Sequence, residues 1–294
     1  MSAEPIQPAT TVVAAPQPIN FVRRVFSSRY LTLKVGLVLF AIIVLASILA
    51  PLLTHDNPIA TVYAPMLPPG GQHLFGTDEY GRDVLSRVLY GGRVSLMIGL
   101  IPTVVSLIGG IVIGLPIGYF GGAFDLLMMR VTDVAMAFPS LLLALAVVAV
   151  LGPGEIQIMA AIGVAWTPYF IRMIRGQAMQ ARETPLVEAA RSLGMSRTRI
   201  MVRHILPNIL APILIMFTMD LANAILTAAA LSYLGLGVQQ PTPEWGAILA
   251  DGQQYFDVAW WLEVFPGVAL TLAVLGVNLI GDGLRDYLDP RVRN

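Results

Sequence analysis

Few side chains in this sequence are equipped for chemistry, and most catalytic arrangements fail at the first residue. The three histidines, His55, His73 and His204, are too scattered to make the helix-borne metal pair of an H-E-x-x-H site. The only lysine, Lys34, is followed by Val35 and Gly36 in an apolar run, so there is no phosphate-binding P-loop and the chain is not expected to hydrolyse ATP itself. There is no cysteine for a disulfide or a thiolate metal site, and no G-x-S-x-G nucleophile elbow. Asp78, Glu79 and Asp83 form a carboxylate cluster, but Arg82 and Arg87 stand among them, and the alternation reads as a solvated loop of paired charges. No catalytic residue, metal site or cofactor is therefore expected in this chain.

Two polar features remain. The first runs from Thr184 to Pro207 and reads as two short helices joined by a tight turn. Thr184 is placed to cap the first helix, Pro185 suits its first position, and Gly194 can take the left-handed conformation that ends it. Ser196 is placed to cap the second helix and Pro207 to close it. Glu188 and Arg191, three apart, share a face beside Ala189, Ala190 and Leu193, a small patch that fits a groove on another protein. The second feature is Asp220, the one acidic residue deep in an apolar run, with Asn223 on the same face. A carboxylate is costly in hydrocarbon, so Asp220 is expected either to line a translocation path or to pair structurally.

The surrounding sequence belongs in a bilayer. Of 294 residues 56% are hydrophobic and 12% charged, with a mean hydropathy of +0.74, well beyond the needs of a soluble core. A net charge of zero gives no sign of a nucleic-acid partner, and none is expected. Charge-poor runs at 35–53, 94–124, 134–154, 156–171, 205–243 and 264–281 give six spanning helices, the run at 205–243 counted once because two spans would carry the terminal arginines outside. Both termini are then cytoplasmic, and all of the 18 basic residues except Arg82, Arg87 and Arg93 fall inside. Arg172 and Arg175 are expected to reach the headgroups, and Trp245, Trp260 and Trp261 to act as interfacial anchors near the last outer loop. Gly110, Gly114 and Gly118 line one helix face for close packing, while Pro102, Pro116, Pro139, Pro168, Pro212 and Pro266 mark bends. The resulting division is a disordered N-terminal tail (1–30), a first span (31–54), an outer loop (55–93), a five-helix core (94–284) holding the loop 179–207, and a cytoplasmic tail (285–294).

The run Glu188-Ala189-Ala190, with Gly194 four residues on and Leu206-Pro207 beyond, resembles the EAA loop of the membrane subunits of bacterial ATP-binding-cassette importers. Arg203-His204-Ile205-Leu206-Pro207-Asn208 looks like the variant of the dipeptide, oligopeptide and nickel branch, His204 standing where the general pattern has isoleucine. Four further stretches are similar to that branch: the loop from His73 to Arg87; Tyr119-Phe-Gly-Gly122 with Asp125, Met129, Arg130 and Asp133; Leu231 to Gly237 with Pro241 to Gly246; and Asn278 to Asp286 with Asp289-Pro-Arg291. The likeness runs from about Lys34 to Arg293 and is nearest to the C-type permease of peptide systems.

The resemblance implies an all-α membrane protein with the type I importer permease fold. It implies that Glu188, Ala189, Ala190, Arg191, Leu193 and Gly194 form a coupling helix that docks on an ATPase subunit. The implied partners are a second permease, two ATP-binding subunits that hold the ATP and magnesium, an extracytoplasmic substrate-binding protein and the lipid bilayer. The cargo would be di- or oligopeptides, with nickel, glutathione or oligosaccharide as alternatives. The competing class, an ion-coupled secondary transporter, predicts inverted repeats and several charges at mid-membrane, and the sequence has no visible repeat and only Asp220 as a candidate.

Overall fold

A computed structural model of the chain describes residues 31–288. The expected N-terminal tail (1–30), with its basic cluster Arg23, Arg24 and Arg29, and the last residues with Arg291 and Arg293 lie outside the described residues. Within them the chain is helical, with one isolated bridge between Thr77 and Asp83. The helices in order are α1 (Leu31–Ile48), the short α2 (Ala50–Leu53), α3 (Val84–Phe120), α4 (Gly122–Met136), α5 (Ser140–Leu151), α6 (Glu155–Arg182), α7 (Pro185–Ser192), α8 (Arg197–Ile200), α9 (Leu206–Tyr233), α10 (Trp245–Gly252) and α11 (Trp261–Leu288). A π-helical turn, Met201–Ile205, joins α8 to α9 without a break.

Four helical stretches are long and apolar enough to cross a bilayer: α1, α3, the continuous run Arg197–Tyr233, and α11. The pair α4 and α5 makes a fifth if counted as one span, bent by 86° around Pro139. At 28 residues α6 is long enough to cross, but it is not among the stretches that also meet the test of apolarity. The prolines fall in two settings. Helix α3 runs through Pro102 and Pro116, α6 through Pro168, α9 through Pro212 and α11 through Pro266, while at Pro139 the helix breaks. Large apolar side chains such as Val131, Val134, Leu142 and Val150 point outward, the reverse of a soluble protein and the arrangement that lipid or a neighbouring membrane subunit would cover.

The glycine stripe packs as its spacing predicts. A methyl group on Gly110 would come within 2.6 Å of the Phe170 Cβ, on Gly114 within 2.6 Å of the Ile171 carbonyl oxygen, and on Gly118 within 2.6 Å of that of Arg175. Backbones of α3 and α6 therefore touch along three turns, and no larger residue fits there.

The segment ahead of α3 differs from expectation. Helix α3 begins ten residues before the apolar run, because the Asp83 carboxylate accepts a hydrogen bond from the Ser86 amide at 2.8 Å and caps it. The expected solvated loop is instead folded inward. Arg82 Nε lies 2.5 Å from Asp78 Oδ2, Arg87 Nε 3.3 Å from the same oxygen, and Arg82 Nη1 donates to Gln240 at 2.6 Å. Arg87 is 1% exposed, and it also donates to the Pro58 carbonyl at 3.4 Å and lies 3.9 Å from Asp251. Burial pushes the Glu79 and Asp251 carboxyls above the usual range.

The tryptophans need a matching correction. Trp245, 1% exposed, donates its indole N–H to the Val88 carbonyl at 2.9 Å, and buried Trp261 donates to that of Thr77 at 3.1 Å. Only Trp260, 48% exposed, is placed as an interfacial ring would be. The buried Glu244 side chain fixes α10 by accepting from the amides of Gly246 and Ala247 at 3.0 and 2.9 Å and from the Ser95 hydroxyl at 2.8 Å. Arg175 pairs with Asp125 and the exposed Arg172 with Asp133, both of α4, tying that helix to α6.

Candidate functional site

The first candidate is the loop after α6. Pro185 opens α7 as expected, but the Thr184 hydroxyl bonds back to the Ala181 carbonyl at 2.7 Å and makes no cap; Ser196 also stands at the start of its helix without a side-chain cap. The Thr184 carbonyl starts α7 instead, accepting from Val187 and Glu188 at 3.0 and 3.1 Å. Gly194 ends α7 at φ 72°. The Gly194 amide donates to the Arg191 carbonyl at 3.0 Å and the Met195 amide to that of Ala190 at 3.2 Å, a Schellman turn that needs the left-handed residue. Pro207 does not close the following helix, because α8 continues through the π turn into α9 and the proline falls in the first turn of α9.

The expected docking patch divides in two. Glu188, Ala189, Arg191 and Leu193 are exposed, as is Leu186. Ala190 is 3% exposed and, with Val187, packs into a cluster with Tyr119, Ile174, Ile200 and Ile205. Helical phase explains this: 187 and 190 lie three apart on the side facing the chain's own core. The outer face of α7 is thus free while its inner face is bolted to the ends of α3 and α6. Beside it lies a cavity of about 610 Å³ bordered by Arg182, Arg191 and Arg197, with the Arg191 and Arg197 guanidinium groups 6.0 and 5.7 Å from the rings of Tyr119 and Phe120.

The second candidate is a cavity of about 400 Å³ between the Pro139 elbow, α6 and α9. Asp220 and Asn223 line it, as their shared face predicts, together with Trp166, Tyr169 and Ser140. Asp220 lies near the middle of α9 and Trp166 near the middle of α6. Asp220 is 6% exposed and its Oδ2 has no hydrogen-bond partner; the buried indole N–H of Trp166 has none either. Sequence reasoning found the carboxylate and missed the indole. Helical phase could have placed Trp166 on the buried side of α6, but its unpaired N–H depends on packing between helices distant in sequence.

The described residues also bring one oxygen of Asp56, one of Asp83 and a nitrogen of His73 within 4.8 Å of one another. These groups already serve each other: His73 Nδ1 lies 3.0 Å from Asp83, which also caps α3, and the Tyr63 hydroxyl donates to Asp56 at 2.6 Å.

Comparison with known proteins agrees with this architecture. Residues 110–294 match the family of binding-protein-dependent transport system inner membrane components. A Brucella abortus protein provisionally named a peptide transport system permease is 49% identical, the match covering 90% of each chain. The dipeptide transport system permease of Alkalihalophilus pseudofirmus is 45% identical over 88% of this chain and 86% of its own. The glutathione transport system permease of Pectobacterium atrosepticum is 42% identical over 77% and 75%. The family is one of membrane permeases rather than enzymes, working with substrate-binding and ATPase partners. With its long apolar helices, its α7 loop and this extent of likeness, the chain belongs to the family of inner-membrane components of binding-protein-dependent ABC transport systems.

Proposed function

We propose that this chain is one of two channel-forming permeases of an ATP-driven importer of di- and oligopeptides. The observation that carries the peptide reading is the relatives named for peptide and dipeptide transport, matched over nearly nine-tenths of the chain. The chain would pair with a second permease, dock on two ATP-binding subunits that hold all the ATP and magnesium, and receive cargo from an extracytoplasmic binding protein. Six spans, with α6 as the sixth, would keep both termini and the α7 loop cytoplasmic.

The exposed residues Glu188, Ala189, Arg191 and Leu193 form the docking face in this reading. Closure of the ATPases would push on α7, and the buried contacts of Val187 and Ala190 would pass that push to α3 and α6. The chain itself would do no bond-breaking chemistry. Glutathione is a second cargo reading, because a relative carries that name and glutathione is itself a modified tripeptide.

The test is to purify the complex from native membranes, reconstitute it with its binding protein and follow ATP-dependent uptake of trialanine. Uptake that requires ATP and the binding protein is expected. Uptake driven by an ion gradient without ATP would overturn the reading and favour a secondary transporter.

A further inference from the structure

Several arginines of this fold are matched by carboxylates: Arg82 and Arg87 share Asp78, Arg172 pairs with Asp133 and Arg175 with Asp125. The cavity beside α7 is not balanced in this way. Three arginines line it, Arg182, Arg191 and Arg197, against one carboxylate, Glu183, which already accepts from the Arg182 Nε at 2.9 Å. Among the described residues neither Arg191 nor Arg197 has a carboxylate partner.

The three side chains come from three elements and meet around the end of α3. Tyr119 and Phe120 close that helix with their rings 5.1 Å apart, and the Arg191 and Arg197 guanidinium groups stand 6.0 and 5.7 Å from the respective ring centroids. Arg182, the last residue of α6, reaches the same place, its Nη1 donating to the Gly118 carbonyl at 3.2 Å. At about 610 Å³ the cavity falls inside the range of ligand sites, roughly 300 to 1,000 Å³. Its excess of positive charge calls for an anion, and arginine forks suit the oxygens of a phosphate. The surroundings add an apolar requirement. The charge-poor run 94–124 ends here, Phe120 is exposed, and α4 begins two residues beyond it with Phe124 and Leu127, one turn apart and both exposed. A phosphate that carries acyl chains satisfies both surfaces, whereas a free phosphate leaves the apolar one uncovered. Basic pockets at the cytoplasmic side of membrane helices hold anionic headgroups in the same way.

We propose that the cavity between the ends of α3 and α6 and the helices α7 and α8 holds the phosphate of an anionic phospholipid of the inner leaflet, with Arg182 and Arg197 as donors and the acyl chains along Phe120, Phe124 and Leu127. This rests on the importer reading, which places the α7 loop in the cytoplasm. Arg191 also belongs to the docking face of that reading, so Arg182 and Arg197 are the site's own arginines. A headgroup held by both bridges α6 to α8 beside α7, and the lipid becomes part of the mount that carries the push of the ATPases.

The test titrates the delipidated importer complex, ATPase subunits included, with short-chain phosphatidylglycerol, short-chain phosphatidylcholine and inorganic phosphate, and reads the thermal midpoint. Phosphatidylglycerol is expected to raise the midpoint by several degrees at concentrations where the other two do not. Arg197→Gln should demand about tenfold more of it for the same rise, the loss of one charge-assisted hydrogen bond, and Arg197→Lys should recover most of the response. Arg199→Gln, at an exposed arginine of α8 outside the cavity, should leave the response unchanged. No rise with phosphatidylglycerol would overturn the proposal. An equal weakening in Arg199→Gln would overturn it in favour of diffuse surface charge, and an equal rise with inorganic phosphate in favour of a soluble anion. Loss of the ATPase subunits from the Arg197→Gln complex would make Arg197 a docking residue and overturn it as well. A wild-type chain that purifies without ATPase subunits, yet still responds selectively to phosphatidylglycerol, would overturn the importer reading alone.

Discussion

The segment ahead of α3 and the loop after α6 are both rich in arginine and carboxylate, and they are built on opposite plans. In the first, Asp78 and Arg82 pair with each other, with Asp78 also paired to Arg87 at the start of α3 and that arginine to Asp251 of α10; Asp78, Arg82 and Arg87 are nearly fully buried, leaving little for another molecule to hold. In the second, Glu188, Arg191 and Leu193 stand outside while two aliphatic side chains beneath them fasten the helix. Charges satisfied within the chain set its shape. Charges left outside on a firmly mounted element wait for a partner.

The sharpest way to break this contrast is at Arg87. Replacing it with alanine leaves Asp78 buried with one cation fewer and is expected to cost about 3–5 kcal/mol, measured as lowered thermal stability of the purified complex. If stability is unchanged, the buried pairs are not structural and the contrast fails. Next in size comes Ala190→Arg, which forces a long cation into the cluster around Tyr119 and Ile200 and should cost about 2–3 kcal/mol by the same assay. Ala189→Arg, one residue away on the outer face, should change stability by less than about 0.5 kcal/mol yet uncouple ATP hydrolysis from uptake. Normal uptake in Ala189→Arg would remove α7 from the docking face.

The smallest effect is a pH slope. Burial raises the Glu79 and Asp251 carboxyls, so in the window between their ordinary and raised values the folded chain binds more protons than the unfolded one. Stability from these groups is complete below the ordinary carboxylate range and is lost as pH rises through the raised values. Asp251→Asn should flatten that fall in a thermal-unfolding series across mildly acidic pH. A steeper fall in the variant would mean that the Arg87 contact outweighs burial at this carboxylate.

What could be read from the sequence follows the range of the forces involved. Gly194, Pro185 and the stripe of Gly110, Gly114 and Gly118 were legible because turn chemistry and helical phase are local. Asp220 was legible because a lone charge in an apolar run stands out at any packing. The inward turn of Ala190 depends on where α3 and α6 end, and the burial of Arg87 depends on α10 folding back from far along the chain. Alternating charge carries the same pattern whether water or protein covers it, so the loop ahead of α3 looked solvated. The early start of α3 did leave a local sign, Asp83 three residues before Ser86, a capping spacing hidden among the other charges.

The π turn at Met201–Ile205 has a bearing on evolution and on engineering. A wide turn of this kind lodges an extra residue in a helix without ending it, and each residue advances an α-helix by about 100°. The compass bearing of α7 around the axis of α9 therefore hangs on five residues. Removing one of them would leave both the outer residues of α7 and the Asp220 cavity chemically intact while turning one away from the other. Here a single-codon deletion would act as a change of gearing between two otherwise sound machines.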